Sequence, residues 1–219
     1  MAHSLSSTLE ASDDINYSTG WIYGYRPFGY YQGEGMYMRE ALKTIKNLGA
    51  VENKDFDFNV EMQEAKVKVD ENFTLLEALA DNCKISSYCR LNSNEEIKAW
   101  ICKKLMPVPI CIKVGDLKLD RDNIIQIPTK TNGGHAILVI GWDETGFIIQ
   151  NSWGKNWGDN GTAILPYEYT IQEAWGVEML NIVTPNNNTN IKKPALYILR
   201  KVIQLLLNVL SKTLKGGNR

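Results

Sequence analysis

The residues from Gly133 to Gly161 constrain this chain more than any others. Gly133–Gly134–His135 opens an apolar, β-branched run from Ala136 to Trp142, a pattern that forms a buried strand. Asp143–Glu144–Thr145–Gly146 supplies a turn, and Phe147–Ile148–Ile149–Gln150 reads as a second strand that ends on Asn151. Such a hairpin puts an imidazole and a carboxamide on neighbouring strands of one sheet, close enough for the amide to orient the ring. This suits a base and its orienter: the His takes a thiol proton and the Asn holds the tautomer. The alternative is a satisfied core histidine beside an ordinary turn.

Gly134–His135–Ala136, Asn151–Ser152–Trp153–Gly154 and Gly158–Asp159–Asn160–Gly161 together resemble the papain-like cysteine peptidases. There a catalytic His begins a strand and a catalytic Asn sits in an Asn-Ser-Trp-Gly motif. The resemblance covers about residues 1–182 and implies an α+β fold, with a helical lobe, a β-barrel-like lobe and a cleft between them. It implies peptide-bond hydrolysis of a peptide or protein substrate, His135 and Asn151 as catalytic residues, and no metal or cofactor. Trp153 is expected over the His–Asn hydrogen bond, keeping water from it and so strengthening it. Gly134 is expected beside the substrate. Gly33 and Gly35 precede a helix whose family counterpart follows a wall of the cleft, where peptide backbone pairs with protein backbone. A plain glycine turn is the competing reading for Gly33.

The nucleophile is the missing part. Ala2, Leu5 and Leu9 have helical spacing with Glu10 near the end, and no capping residue precedes them. In the family the Cys starts a long helix in a run like Gly-Ser-Cys-x-Ala-x-Ser. Ala2–His3–Ser4 and Leu9–Glu10 match the part downstream of that Cys, which places the nucleophile one residue before Met1. His135 and Asn151 then follow it by about 135 and about 151 residues, in line with the family separation of roughly 130–150. Ser4 is a poor substitute, since it lies one helical turn on, about 6 Å along the axis. The chain is therefore expected to be N-terminally truncated just after the catalytic Cys, and inactive as it stands.

Its own cysteines offer no replacement. Cys83, Cys89, Cys102 and Cys111 fit no zinc spacing, and none has the small-residue, helix-starting context of a peptidase nucleophile. Cys102 and Cys111 have apolar neighbours and are expected to be buried free thiols. Cys83 and Cys89 are close enough in sequence to pair across a short loop, which the sequence leaves open. A formal net charge of −1 gives no reason to expect nucleic acid as a partner. No secretory signal is visible after Met1, which makes the cytoplasm the default location.

The remaining elements follow from periodicity. Arg39–Gly49 reads as an amphipathic helix closed by glycine, residues 50–73 as a charged surface excursion, and Leu75–Ala80 as a short helix. Asn94–Leu105 is a helix with a polar cap at Ser93 or Asn94, acids in its first turn and bases in its last. Val108–Val114 alternates as a strand, residues 115–132 connect, and Thr162–Leu165 and Val177–Leu180 read as closing strands. These divide the chain into a peptidase domain over 1–182 (1–105 mainly helical, 106–182 mainly β), a linker over 183–194 and a helix over 195–215.

That last segment is two-faced. Arg200, Lys201, Gln204, Asn208, Ser211, Lys212 and Lys215 fall within about 120° of arc at 100° per residue. The segment from Ala195 to Lys215 can lie on an anionic membrane surface, dock on a partner helix, or pack on its own domain. Mid-segment charges oppose a membrane span. Two readings of the whole remain: part of a cysteine peptidase whose start lies upstream, or an inactive papain-fold binding protein.

Overall fold

Apolar strands at Val108–Val114 and Gly133–Trp142 form the centre of the structure, a computed structural model that describes residues 17–26, 35–57, 62–81 and 83–179. The expected helix at 1–10, Gly33, the linker at 183–194 and the basic segment at 195–215 lie outside the described residues.

In chain order the elements are α1 (Thr19–Gly24), α2 (Met38–Asn47), α3 (Met62–Glu71), α4 (Phe73–Ala80), β1 (Ile85–Arg90), α5 (Asn94–Lys104), β2 (Val108–Val114), β3 (Gly133–Trp142), β4 (Gly146–Gln150), β5 (Thr162–Pro166) and β6 (Ile171–Met179). The strands form one antiparallel sheet in the order β1-β6-β2-β3-β4-β5. Helices packed beside an antiparallel sheet make this an α+β fold.

The sheet separates two apolar clusters because successive residues of a strand face opposite ways. Ala136 of β3 joins Trp21, Leu42, Ile45, Val69 and Trp175 in a cluster under the helices. Its neighbours Ile137 and Val139 turn to the other side, with Ile110, Ile112, Phe147, Ile149 and Leu165, and are capped by Ile97 and Ile101 of α5. Phe147 and Ile149 have no exposed surface, and each such burial is worth about 1.5–3 kcal/mol.

The helices are set as their end residues dictate. The Ser18 hydroxyl caps α1 by accepting the Trp21 N–H at 3.0 Å, and the Trp21 indole N–H reaches the Gly49 carbonyl at 2.9 Å. Gly49, just past α2, has φ +100° and no room for a Cβ, which would lie 1.8 Å from the Ala80 carbonyl oxygen. The Ser93 hydroxyl caps α5 by accepting the Glu96 N–H.

Four expectations change. Residues 50–73 are not a mere excursion, since they contain α3. Ala65 and Val69, one turn apart and fully buried, press on Gly24 of α1, where two small apolar residues make the contact. β1 had no alternation to betray it, yet it pairs along β6 from Ile85 opposite Met179 to Arg90 opposite Trp175. β6 itself begins at Ile171, well before Val177. Cys102 is exposed, because α5 turns Ile97 and Ile101 inward and leaves Cys102 outside. Cys83 and Cys89, for which the sequence leaves pairing open, are not joined by a disulfide: one lies buried among the helices and the other is exposed on β1.

Candidate active site

The β3–β4 hairpin brings His135 and Asn151 together. The Asp143 side chain makes its turn, the carboxylate accepting the Thr145 and Gly146 N–H groups at 2.7 and 3.0 Å. Register runs from Trp142 opposite Phe147 to Leu138 opposite Gln150, with an irregularity between Val139 and Gly141. Asn151 follows β4 directly and sits across from the start of β3. His135 Nε2 lies 2.9 Å from Asn151 Oδ1.

The proton's place in that bond can be deduced. Asn151 Oδ1 also accepts the Ser152 backbone N–H at 2.8 Å, so that atom is the carbonyl oxygen of the side chain and not its nitrogen. An oxygen that only accepts obliges His135 Nε2 to donate. The neutral ring therefore carries its proton on Nε2, and the Nδ1 lone pair is free to receive another. Burial pulls the His135 pKa below its usual value, and the hydrogen bond to Asn151 partly opposes that.

Asn151 is itself held from behind. It is 7% exposed, and its backbone N–H donates to the Gly161 carbonyl at 2.9 Å. The intervening loop turns through Gly154, Gly158, Asn160 and Gly161, at φ +84°, +58°, +56° and +86°. A Cβ at Gly158 would lie 2.2 Å from the Thr162 carbonyl oxygen, so only glycine fits there. The Trp153 ring lies beside the imidazole, centroids 5.1 Å apart and planes 34° apart, and Trp157 meets Trp153 edge-on at 5.8 Å. Trp153 is 52% exposed, one face toward His135 and the rest toward solvent. The Asn151 side-chain Nδ2 is buried and has no hydrogen-bond partner among the described residues.

The other expected residues are less close to the pair. Gly134 precedes His135 on β3, opposite Lys113, and a Cβ there would be in ordinary contact with the Ile112 carbonyl oxygen at 4.0 Å. Gly35 is exposed, has nothing within 4 Å of a Cβ position, and its carbonyl accepts the Arg26 guanidinium at 2.6 Å. Nothing in packing or φ requires glycine at position 35. Sequence reading missed the Ser152 N–H that fixes the amide, although the Asn-Ser order already put it there.

The cysteines belong to other elements: Cys83 lies among the helices, Cys89 on β1, Cys102 on the outer side of α5 and Cys111 on β2. Ile112 is opposite His135 and shares its face, whereas Cys111 is opposite Ala136 and points the other way. Burial pushes the Cys111 thiol up to about 11. Burial also raises the Cys89 thiol, with Glu178 adding to the effect. Among the described residues no three His, Cys, Asp or Glu side chains gather as a metal site would need.

A family model described as papain family cysteine protease matches residues 27–181, more than half of the chain. The chain belongs to this family. A peptidase C1-like protein of Acanthamoeba polyphaga mimivirus is 46% identical over 43 residues, 19% of this chain and 14% of that protein. Mexicain of Jacaratia mexicana is 22% identical over 130 residues, 58% of this chain and 57% of that protein. The chain thus spans little more than half of one of these relatives and much less of the other. Among solved structures, xylellain, a cysteine protease from Xylella fastidiosa, has a TM-score of 0.67 at 22% identity, covering 82% of this chain and 78% of that one. The bromelain protease of Ananas comosus, solved in complex with the inhibitor E-64, has a TM-score of 0.56 at 15% identity, covering 80% and 84%. The papain-like two-lobe fold expected from the hairpin motifs is the fold of this chain.

Proposed function

We propose that this papain-family chain is the base-and-orienter portion of a cysteine-type peptidase that hydrolyses peptide bonds in a peptide or protein substrate. The observation that carries the reading is the fixed tautomer: His135 Nε2–H is committed to Asn151, which leaves Nδ1 as the proton acceptor. A thiol facing Nδ1 gives up its proton there, and the resulting thiolate attacks the substrate carbonyl carbon. The imidazolium then returns that proton to the departing amine, leaving a thioester. Water, deprotonated by the same nitrogen, cleaves the thioester and restores the thiol. Asn151 keeps the ring from turning at each step, and Trp153 shields the Nε2–H···Oδ1 bond. Gly35 and Gly134, bare of side chains, suit close approach of an extended peptide backbone.

The thiol in this reading is supplied by the residue immediately before Met1, which the family spacing to His135 supports. A second reading, a papain-fold binding protein without catalysis, draws on Cys111, the cysteine nearest His135 in the strand register, pointing to the opposite face of the sheet. The basic segment Ala195–Lys215 then adds a membrane surface or partner helix as its target.

Reading the in-frame codons upstream of Met1, together with the intact mass of the native protein, separates the two. A Cys codon at that position, a Gln codon a few positions earlier and a heavier native protein that takes up E-64 covalently support the peptidase. A native chain that starts at Met1 and takes up no E-64 supports the binding protein.

A further inference from the structure

The polar connection between β2 and β3 contains an arrangement that neither packing nor chain connection alone requires. Asp120 organises a tight turn there, its Oδ1 accepting the backbone N–H groups of Asp122 and Ile124, each at 2.9 Å. The turn leaves Asn123 in the left-handed region at φ +64°, a conformation that asparagine tolerates better than most residues. From there its side-chain Nδ2 donates to the Thr162 carbonyl at 3.0 Å.

The backbone on either side reinforces the dock. The Ile164 N–H donates to the Asn123 carbonyl at 3.0 Å, and the Ile125 N–H to the Ile164 carbonyl at 2.8 Å. The Asn123 Oδ1 lies 3.0 Å from where a Gly158 Cβ would be, so the carboxamide leans over the glycine turn. Thr162 closes that turn: its carbonyl also accepts the Asp159 N–H at 2.8 Å, and its neighbour Gly161 offers the carbonyl that takes the Asn151 N–H. A connected path of hydrogen bonds therefore runs from Asn123 through the 158–162 turn to the backbone of Asn151, and from its side chain to the ring.

We propose that Asn123 is a positioning residue, one that fixes the carboxamide of Asn151, and through it the orientation of the His135 ring, by clamping the Gly158–Thr162 turn from outside. The assignment rests on His135–Asn151 being the base–orienter pair, and the experiment distinguishes failure of the one from failure of the other.

The chain has two histidines, His3 and His135, so ring nitrogen chemical shifts and exchange of the Nε2–H proton can be followed by NMR in the full chain. Asn123→Gly keeps the left-handed backbone accessible and removes only the carboxamide. The expected result is an Nε2–H of His135 that exchanges with water about tenfold faster, the scale of one lost hydrogen bond, with some ring now protonated on Nδ1. Asn123→Gly with wild-type ring shifts and wild-type Nε2–H exchange overturns the assignment, even if the protein melts earlier. Should Asn123→Gly not fold, Asp120→Ala decides in the same way, since it loosens Asn123 without altering β5. Asn151→Ala serves as the control. Ring shifts that change in Asn151→Ala but not in the Asn123 variant overturn the clamp alone, whereas ring shifts unchanged in Asn151→Ala overturn the base–orienter reading.

Discussion

Asn151 Oδ1 accepts two hydrogen bonds at once, from Ser152 N–H at 2.8 Å and from His135 Nε2 at 2.9 Å. The first identifies the atom and the second thereby assigns the proton. The same side chain leaves its Nδ2 buried without a partner among the described residues, a loss that one better hydrogen bond would remove.

Asn151→Asp exploits that imbalance. A carboxylate keeps the Oδ1 acceptor, replaces the unpartnered Nδ2 with an oxygen, and adds a negative charge beside the ring. An opposite charge at this distance favours imidazolium, so the His135 pKa, now held down by burial, should rise above that of the wild type. NMR titration of the two histidines measures it.

Stability should depend on pH through the same ring. The folded-state pKa of His135 lies below the ordinary 6.5 because of burial, so the unfolded chain binds the proton more readily. Stability from this group is fully present above pH 6.5 and is lost as pH falls through the folded-state value. Urea unfolding at a series of pH values tests this. Trp153→Ala, which uncovers the ring, should reduce the dependence.

Gly158→Ala and Gly35→Ala should behave oppositely. At Gly158, φ is +58° and the new Cβ would meet the Thr162 carbonyl oxygen at 2.2 Å, so a loss of about 3 kcal/mol or more is expected. At Gly35 nothing lies within 4 Å, and stability should stay within about 0.5 kcal/mol. If Gly35 borders the bound peptide, its methyl group should instead raise KM in a form of the protein that carries the thiol. Thermal unfolding and steady-state kinetics read the two effects separately.

The thiols should separate by reactivity. Cys111 is part-buried, and with its thiol at about 11 only about one molecule in 10³ is thiolate at pH 8. Cys102 is exposed on the outer face of α5. Iodoacetamide followed by peptide mass mapping should label Cys102 well before Cys111. The same map shows whether any further thiol in the native protein reacts faster than both.

The site was largely legible because its chemistry is written in local order. A His opening an apolar run, an aspartate-led turn and an Asn followed by Ser, Trp and Gly fix the hairpin and its partners by short-range geometry. Glycines at 154, 158 and 161 belong to the same local signal, since the positive φ at each is a conformation that glycine adopts most readily.

Elsewhere the chain gave little to read. Among the described side chains of α3 only Ala65 and Val69 are buried, one turn apart, too thin a stripe among charges to mark a helix until Gly24 is placed against it. In β1 the residues Ser86, Ser87 and Cys89 carry no strand pattern, and their pairing comes from β6, which lies far along the chain. The sequence by itself determined the His–Asn hairpin and the family, because each depends on neighbours within a few residues. Tertiary structure alone decided how β1 pairs with β6, which face of the sheet Cys111 takes, and how Asn123 reaches the Asn151 loop. Each of these depends on a hydrogen bond or strand register between segments distant in sequence, which no local pattern encodes.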